Sequence, residues 1–263
     1  MAYVQEPFTP DIPGSVVVPA HQDNVRPGDN HPKVNVFHTP EEEADDIEVT
    51  PYFFSRRIYD AQGRQRRAST HAYTDNDGDL FQMVPEKYGA IANGVTADRS
   101  YPAGTNPNIS LNLQSRSNEI EGYARNIHLT MPRGSVQWKT VVRWTLAGHQ
   151  MYGIPLDRAH NIGHYEVSNT RTDPGALDID AIVEDAVALL EKGQEPHDMT
   201  TYKLFNTWNP AKLWNIQYDS GVPMWRRWIV TPEGAAVLIA AHGEPETISL
   251  WELRTIPEIK PSA

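Results

Sequence analysis

Apolar residues recur at two periods along the chain, and the alternation between them predicts the fold class. Ile179, Ile182, Val183, Ala186, Leu189 and Leu190 follow three- and four-residue spacing, with Gly193 just beyond. That is the signature of an amphipathic helix and its stop. A second helix is predicted from Ser135, a residue able to cap, to Tyr152. Val136, Val141, Val142, Trp144, Leu146 and Met151 give it broad apolar coverage, and Gly153-Ile154-Pro155 ends it. Elsewhere the period is two. Val34 and Val36 alternate with Asn35 in a strand that ends at His38. Residues 68–74 and 80–86 read as two strands joined at Asp75-Asn76-Asp77-Gly78-Asp79, because Asp-Gly tolerates the positive φ of a hairpin turn. Ile109 to Leu113 reads as a further short strand. Strands and helices alternating in this way predict an α/β domain.

The remaining stretches are less periodic. Pro40 to Asp46 looks like an acidic helix start, with carboxylates near the positive end of a helix dipole. Tyr52, Phe53, Phe54, Ile58 and Tyr59 should pack as a helix or a strand edge. The basic run Arg64 to Arg67 is either a solvated loop or a contact to anionic polymers. Residues 1–32 carry six prolines, which remove backbone donors and fix φ, so they form an extended arm. The arm is either a strap on the domain surface or an attachment to a larger assembly. Residues 200–263 hold five of the seven tryptophans, and short runs at 224–230, 235–240 and 247–253 look like strands separated by Pro-Glu-Gly and Gly-Glu-Pro turns. They read as a small β-rich module whose tryptophans form either its core or an exposed sugar-stacking face.

Composition narrows the function. A net charge of −11 over 263 residues argues against a nucleic-acid partner or an anionic membrane surface. No apolar run is long enough to span a membrane. The first residues, Met1 to Pro7, lack the basic start and apolar stretch of a secretory signal. The absence of cysteine removes disulfides, thiolate metal sites and thiol nucleophiles together.

The candidate chemistry lies at His164 and Asp173. A short apolar run ends in His164, and a polar loop containing Arg171 returns a carboxylate nine residues later, closed off by Pro174-Gly175. Imidazole and carboxylate are both zinc ligands, and a catalytic zinc takes three protein ligands and keeps an open position. An Asp before Pro-Gly can equally start a turn and nothing more, and the same set of donors also suits other divalent ions.

Gly163-His164-x-Glu166-Val167-Ser168, followed by Arg171-Thr172-Asp173-Pro174-Gly175, resembles the signature of the zinc-dependent N-acetylmuramoyl-L-alanine amidases of type 2, relatives of the peptidoglycan recognition proteins and of phage amidase lysins. The loop is one residue shorter than in many members, and Arg171 stands where lysine is usual. The resemblance covers about residues 33–193 and implies a mixed central β-sheet flanked by helices, with a catalytic domain at 33–195. It implies zinc ligation by His38, at the end of the first strand, with His164 and Asp173.

Asn118-Glu119-Ile120-Glu121-Gly122 is similar to the family's central strand, where Glu119 matches the general base. Glu121 would share its face, and a slip in register would make it the working group. Arg171 would stabilise the developing oxyanion in the place of the family's lysine. The zinc would lower the pKa of bound water toward roughly 7. The stretch from Ser69 to Glu86 also matches the family and puts His71 near the cleft, as a satisfied structural histidine or a substrate contact. The family's Ala-Trp-His-Ala-Gly is Ala90-Ile91-Ala92-Asn93-Gly94 here, which leaves Asn93 as a candidate substrate contact.

The implied substrate is bacterial peptidoglycan, cut between N-acetylmuramic acid and L-alanine. The implied setting is a phage lysin that stays in the host cytoplasm until release, or a part of the virion among other tail proteins, held there by the arm and the C-terminal module. A non-catalytic peptidoglycan-binding or structural role is the alternative, because some relatives recognise the polymer without cutting it.

Overall fold

The computed structural model describes residues 4–6, 8–12, 14–41 and 50–192, together with the backbone of four strands between 201 and 247. The chain divides into two compact units, 1–194 and 195–263.

The first unit is built on a six-stranded sheet in the order β1-β7-β6-β9-β3-β10. In chain order these strands are β1 (Val16–Val17), β3 (Val34–His38), β6 (Ala72–Thr74), β7 (Leu80–Gln82), β9 (Ser115–Ile120) and β10 (Asn161–Gly163). Pairing is parallel except between β6 and β7, which form the hairpin expected around Gly78. The sheet is therefore mixed, and helices pack against it. β2 (Val25–Asp29) pairs with β8 (Tyr88–Ala90) in a separate ribbon, and β4 (Ile58–Tyr59) pairs with β5 (Gln65–Arg66) in another.

Every residue of β3 is buried, as expected of a parallel strand covered on both faces. Its alternation divides the core. Val34 and Val36 pack with Leu111, Ile162 and Val167. Phe37 points the other way and meets Trp144 edge-on at 5.6 Å. Trp144 lies on the helix α3 (Val136–Tyr152), whose N-terminus is capped by Ser135 and which ends at Gly153 in a left-handed conformation. The amphipathic helix α5 (Ile179–Glu191) buries Ile179, Ile182, Val183 and Ala186, and it packs against α3. The short helices α1 (Thr50–Phe54) and α2 (Ile127–Thr130) precede α3 in the chain, and α4 (His164–Val167) lies between α3 and α5. Among the described residues no helix is long and apolar enough to cross a membrane.

β9 is the least expected element. It sits in the middle of the sheet, and Ser115, Arg116, Ser117 and Asn118 on it are all fully buried. Each bonds to neighbours, although Arg116 Nη2 makes no hydrogen bond among the described residues. Asn118 and Thr74 bond side chain to side chain, and Ser117 bonds Thr70 and His71. Arg116 donates from Nε to both oxygens of the fully buried Glu86 at 2.9 Å, and from Nη1 to Asn35 Oδ1 and the Trp144 carbonyl. Its guanidinium also lies over the Trp144 ring, 4.4 Å from the centroid.

Several sequence expectations change. Residues 109–113 do not form a strand: a 3-10 turn runs from Leu111 to Leu113, closed by the Leu113 N–H on the Ser110 carbonyl. The arm is knit into the fold. β1 adds an edge to the sheet, Ile12 and Ala20 are fully buried, and Asp11 grips Gln82. The Tyr52–Tyr59 stretch becomes α1 followed by the β4–β5 ribbon. The acidic segment after Glu41 lies outside the described residues.

The second unit contains β11 (Thr201–Asn206), β12 (Leu213–Asp219), β13 (Val222–Ile229) and β14 (Glu246–Thr247). β12 pairs antiparallel with β11 and β13, and β14 runs parallel to β11. The strand expected at 224–230 falls within β13 apart from its last residue. Of the run expected at 247–253 only Thr247 is described, in β14; the run expected at 235–240 and the roles assigned to the tryptophans lie outside the described residues.

Two measurements test this account. A Cβ at Gly148 would come within 2.3 Å of Arg116 Nη1 and 2.8 Å of Asn35 Oδ1. Gly148→Ala should therefore lower stability by about 1–3 kcal/mol, seen as a lower thermal midpoint, and an unchanged midpoint would show that the Arg116 cluster yields. In the hairpin, burial and the adjacent Asp79 push the Asp75 carboxyl up to about 9 from 3.8. A neutral Asp75 favours the fold fully below pH 3.8, and that advantage is lost as pH rises through about 9. Asp75→Asn, which keeps an oxygen for the Asp79 N–H, should raise stability at neutral pH and flatten its decline with pH. Denaturation across that range reads both effects.

Candidate metal and hydrolytic site

The site forms at the carboxyl ends of the parallel strands, where open α/β sheets leave a crevice. β3 ends at His38, and the register sets His38 directly beside Glu119 of β9. On the other side of β3, β10 runs out at Gly163, so His164 opens α4 at the same edge. Glu166 holds this corner, accepting from the Gly163 N–H at 2.6 Å and from Arg158 at 2.7 Å. The following loop returns to the sheet when the Tyr165 N–H bonds the Asp173 carbonyl. Gly175 lets it pass, since a Cβ there would sit 2.2 Å from the Ala124 carbonyl oxygen.

These elements bring three donors together. Asp173 Oδ2 lies 3.1 Å from His38 Nδ1 and 3.2 Å from His164 Nδ1. The side chains are buried, at 2%, 5% and 8% exposure for His38, His164 and Asp173. Among the described residues they are the group of histidines and carboxylates whose ligating atoms all lie within 4.8 Å of one another. His38 Nε2 meets Asn93 Oδ1 at 2.7 Å.

The charges are coupled. Burial works against the His38 cation, but the bond to Asp173 and the charges of Glu119 and Asp173 outweigh it and raise its pKa. Burial lowers the pKa of His164, and the charges of His38 and Arg171 add to that. Burial alone would raise the pKa of Asp173, yet hydrogen bonds from both rings hold its carboxyl well below the usual carboxylate range. Two imidazole nitrogens and an ionised carboxylate oxygen converging in a buried corner make a donor set suited to a zinc-type ion.

A cavity of about 580 Å³ opens onto this corner. Glu119 and Arg171 line it beside the three donors, and its far end reaches Phe53 and Arg67. Arg171 is exposed and Glu119 half-buried, so both are available to a molecule in the cavity. Phe53 carries no sequence signal for the cleft, and Arg67 carries only the alternative reading of its basic run as a contact to anionic polymers.

Other candidates lie elsewhere. His71 is fully buried in the sheet, bonded to Ser117 and the Tyr88 carbonyl, and does not line the cavity; burial lowers its pKa. Its structural reading is the one compatible with this position. Glu121 falls just past the end of β9, where Gly122 turns the chain at φ 137°, and its carboxylate accepts from the Asn76 backbone and side chain. Asn93, a candidate substrate contact, lines the cavity, and its amide bonds His38 and Ser115. Sequence reasoning assigned no task to Glu166, although a glutamate three residues after Gly163 is the spacing of a helix-capping carboxylate.

A mixed sheet with flanking helices carries this His-His-Asp corner beside a carboxylate and an arginine in one cavity, an arrangement suited to hydrolysis. Residues 28–176 match the family model described as N-acetylmuramoyl-L-alanine amidase, and the chain belongs to that family. Solved structures similar to it include AmpD, at 22% identity over 68% of this chain and 99% of that one, with a TM-score of 0.46. The amidase LysC from Clostridium intestinale is 16% identical over 59% and 85%, with a TM-score of 0.39. The Ph2119 endolysin from a Thermus scotoductus bacteriophage is 18% identical over 62% and 88%, with a TM-score of 0.41. No curated protein matches the chain.

Proposed function

We propose that this protein hydrolyses the amide joining N-acetylmuramic acid to L-alanine in peptidoglycan, with zinc held by His38, His164 and Asp173. The observation that carries this reading is the meeting of three ligating atoms with Glu119 and Arg171 in one cavity of an amidase-family domain. When bound, zinc supplies Lewis-acid activation of water near neutral pH.

The chain's own groups do the rest. Glu119, fixed next to His38 by strand register, takes the proton from the attacking water and returns it to the departing L-alanine amine. Its half-buried position lets the carboxylate exchange protons without being cut off from the cavity. Arg171 offsets the negative charge that builds on the lactyl carbonyl oxygen. It can do this only as a fixed charge and hydrogen-bond donor, because a guanidinium does not release its proton. The setting we favour is a phage cell-wall lysin, either free or carried on the virion, and cosedimentation with purified particles separates the two.

The test combines metal content with release of stem peptides from purified cell walls. Wild type should hold about one zinc per chain and release peptides. His164→Ala should lose both. Glu119→Gln should keep zinc and lose about 10²–10⁴-fold in rate. Arg171→Ala should keep zinc and lose about 10²–10³-fold, with partial recovery in Arg171→Lys. Zinc without release would leave a recognition or structural role, and a wild type that takes up no metal would overturn the site.

A further inference from the structure

The bonds behind His38 have a direction, and it fixes which ring nitrogen is left for a metal. The Leu111 carbonyl can only accept, so Ser115 Oγ donates to it at 2.7 Å. That hydroxyl has spent its proton and accepts from Asn93 Nδ2, also at 2.7 Å. The Asn93 amide is thereby oriented, and its Oδ1 faces His38 Nε2 at 2.7 Å. An amide oxygen can only accept, so the proton there belongs to Nε2. A second bond locks the backbone of the same residue: Asn93 N–H donates to Asn112 Oδ1 at 2.6 Å. Asn93 and Ser115 are buried, and the chain of bonds stays inside the protein from Leu111 to the ring.

We propose that Asn93 is a positioning residue that holds the proton on His38 Nε2 and so presents Nδ1, the nitrogen facing Asp173, as the ligating atom. It does not touch substrate in this role. It acts through His38, in the way that an outer hydrogen-bond partner sets the orientation and basicity of a metal-bound imidazole. The metal half of the proposal rests on the zinc reading above; the proton half does not.

Two readouts on the full chain separate them. The first is nitrogen NMR of histidine-labelled protein. In wild type, His38 Nε2 should carry a slowly exchanging proton. Asn93→Leu should lose that protection, whereas Asn93→Asp, which keeps an acceptor, should retain it. A wild-type ring protonated on Nδ1 alone would overturn the proposal. The second is zinc affinity by chelator competition. Asn93→Leu should weaken zinc by about 10- to 100-fold, and Asn93→Asp should stay within a few-fold of wild type or bind more tightly. Ser115→Ala, which frees the amide to rotate, should fall between. Equal losses in the Leu and Asp variants, or no loss in the Leu variant, would overturn the proposal. Should the Leu variant fail to fold, the Asp and Ser115→Ala proteins decide it by the same criteria. A wild type that binds no zinc would count against the zinc reading, and the ring-proton readout would then decide this one.

Discussion

A fully buried arginine stands at the centre of the sheet, and the arrangement around it depends on keeping that charge satisfied. Arg116 comes from β9, its carboxylate partner Glu86 from the segment between β7 and β8, its amide partner Asn35 from β3, and its carbonyl and ring partner Trp144 from α3. Taking two charges out of water costs several kcal/mol per ion, and their attraction offsets this only when geometry is good and the remaining donors are used. Such a pair is weak evidence of net stability. Removing one partner, however, strands the other, so the four elements are bound to a single relative position.

That constraint reaches the catalytic corner through strand register. Asn35 and His38 lie on one strand, Arg116 and Glu119 on the next, and both pairs are aligned across the ladder. A slip that broke the Arg116 cluster would also separate His38 from Glu119. The specific hydrogen bonds of the polar residues of β9 thus fix its alignment where no hydrophobic pattern is present to do so. At the open end of the same strands the charges are arranged differently. There a single carboxylate oxygen is shared between two imidazoles, which holds the three side chains in a common orientation.

Much of this was legible in the sequence because local patterns agreed with the global fold. The two long helices followed from apolar spacing and from Ser135 and Gly153 at their ends. β3 followed from alternation, and the β6–β7 hairpin from Asp77-Gly78. The family motif pointed to His38, His164 and Asp173, which the fold brings together across more than a hundred residues of chain. β9 was recognisable only by resemblance, since Ser-Arg-Ser-Asn-Glu has no apolar period and its burial depends on partners elsewhere in the chain. The 3-10 turn at Leu111 was misread because alternating Ile-Ser-Leu-Asn-Leu satisfies a strand pattern, while hydrogen bonds from Leu113 and Ser115 close it into a turn. Asn93 is legible as a cleft residue by resemblance, but its bonds are not, because its orientation comes from Ser115 and Asn112, about twenty residues away.

The clasp between Asp11 and Gln82 has a consequence for where this domain can be cut. The family match begins at residue 28, yet β1 covers the flank of β7, and Asp11 accepts from the Glu86 N–H just ahead of β8. A shortened version starting at the family boundary would keep all the chemistry and expose a bare strand edge with unpaired backbone groups. Such an edge is a template for pairing with another molecule. The same cut would also unhook the segment that carries Glu86, the partner of the central arginine. Residues that look like a dispensable leader thus protect the sheet from self-association.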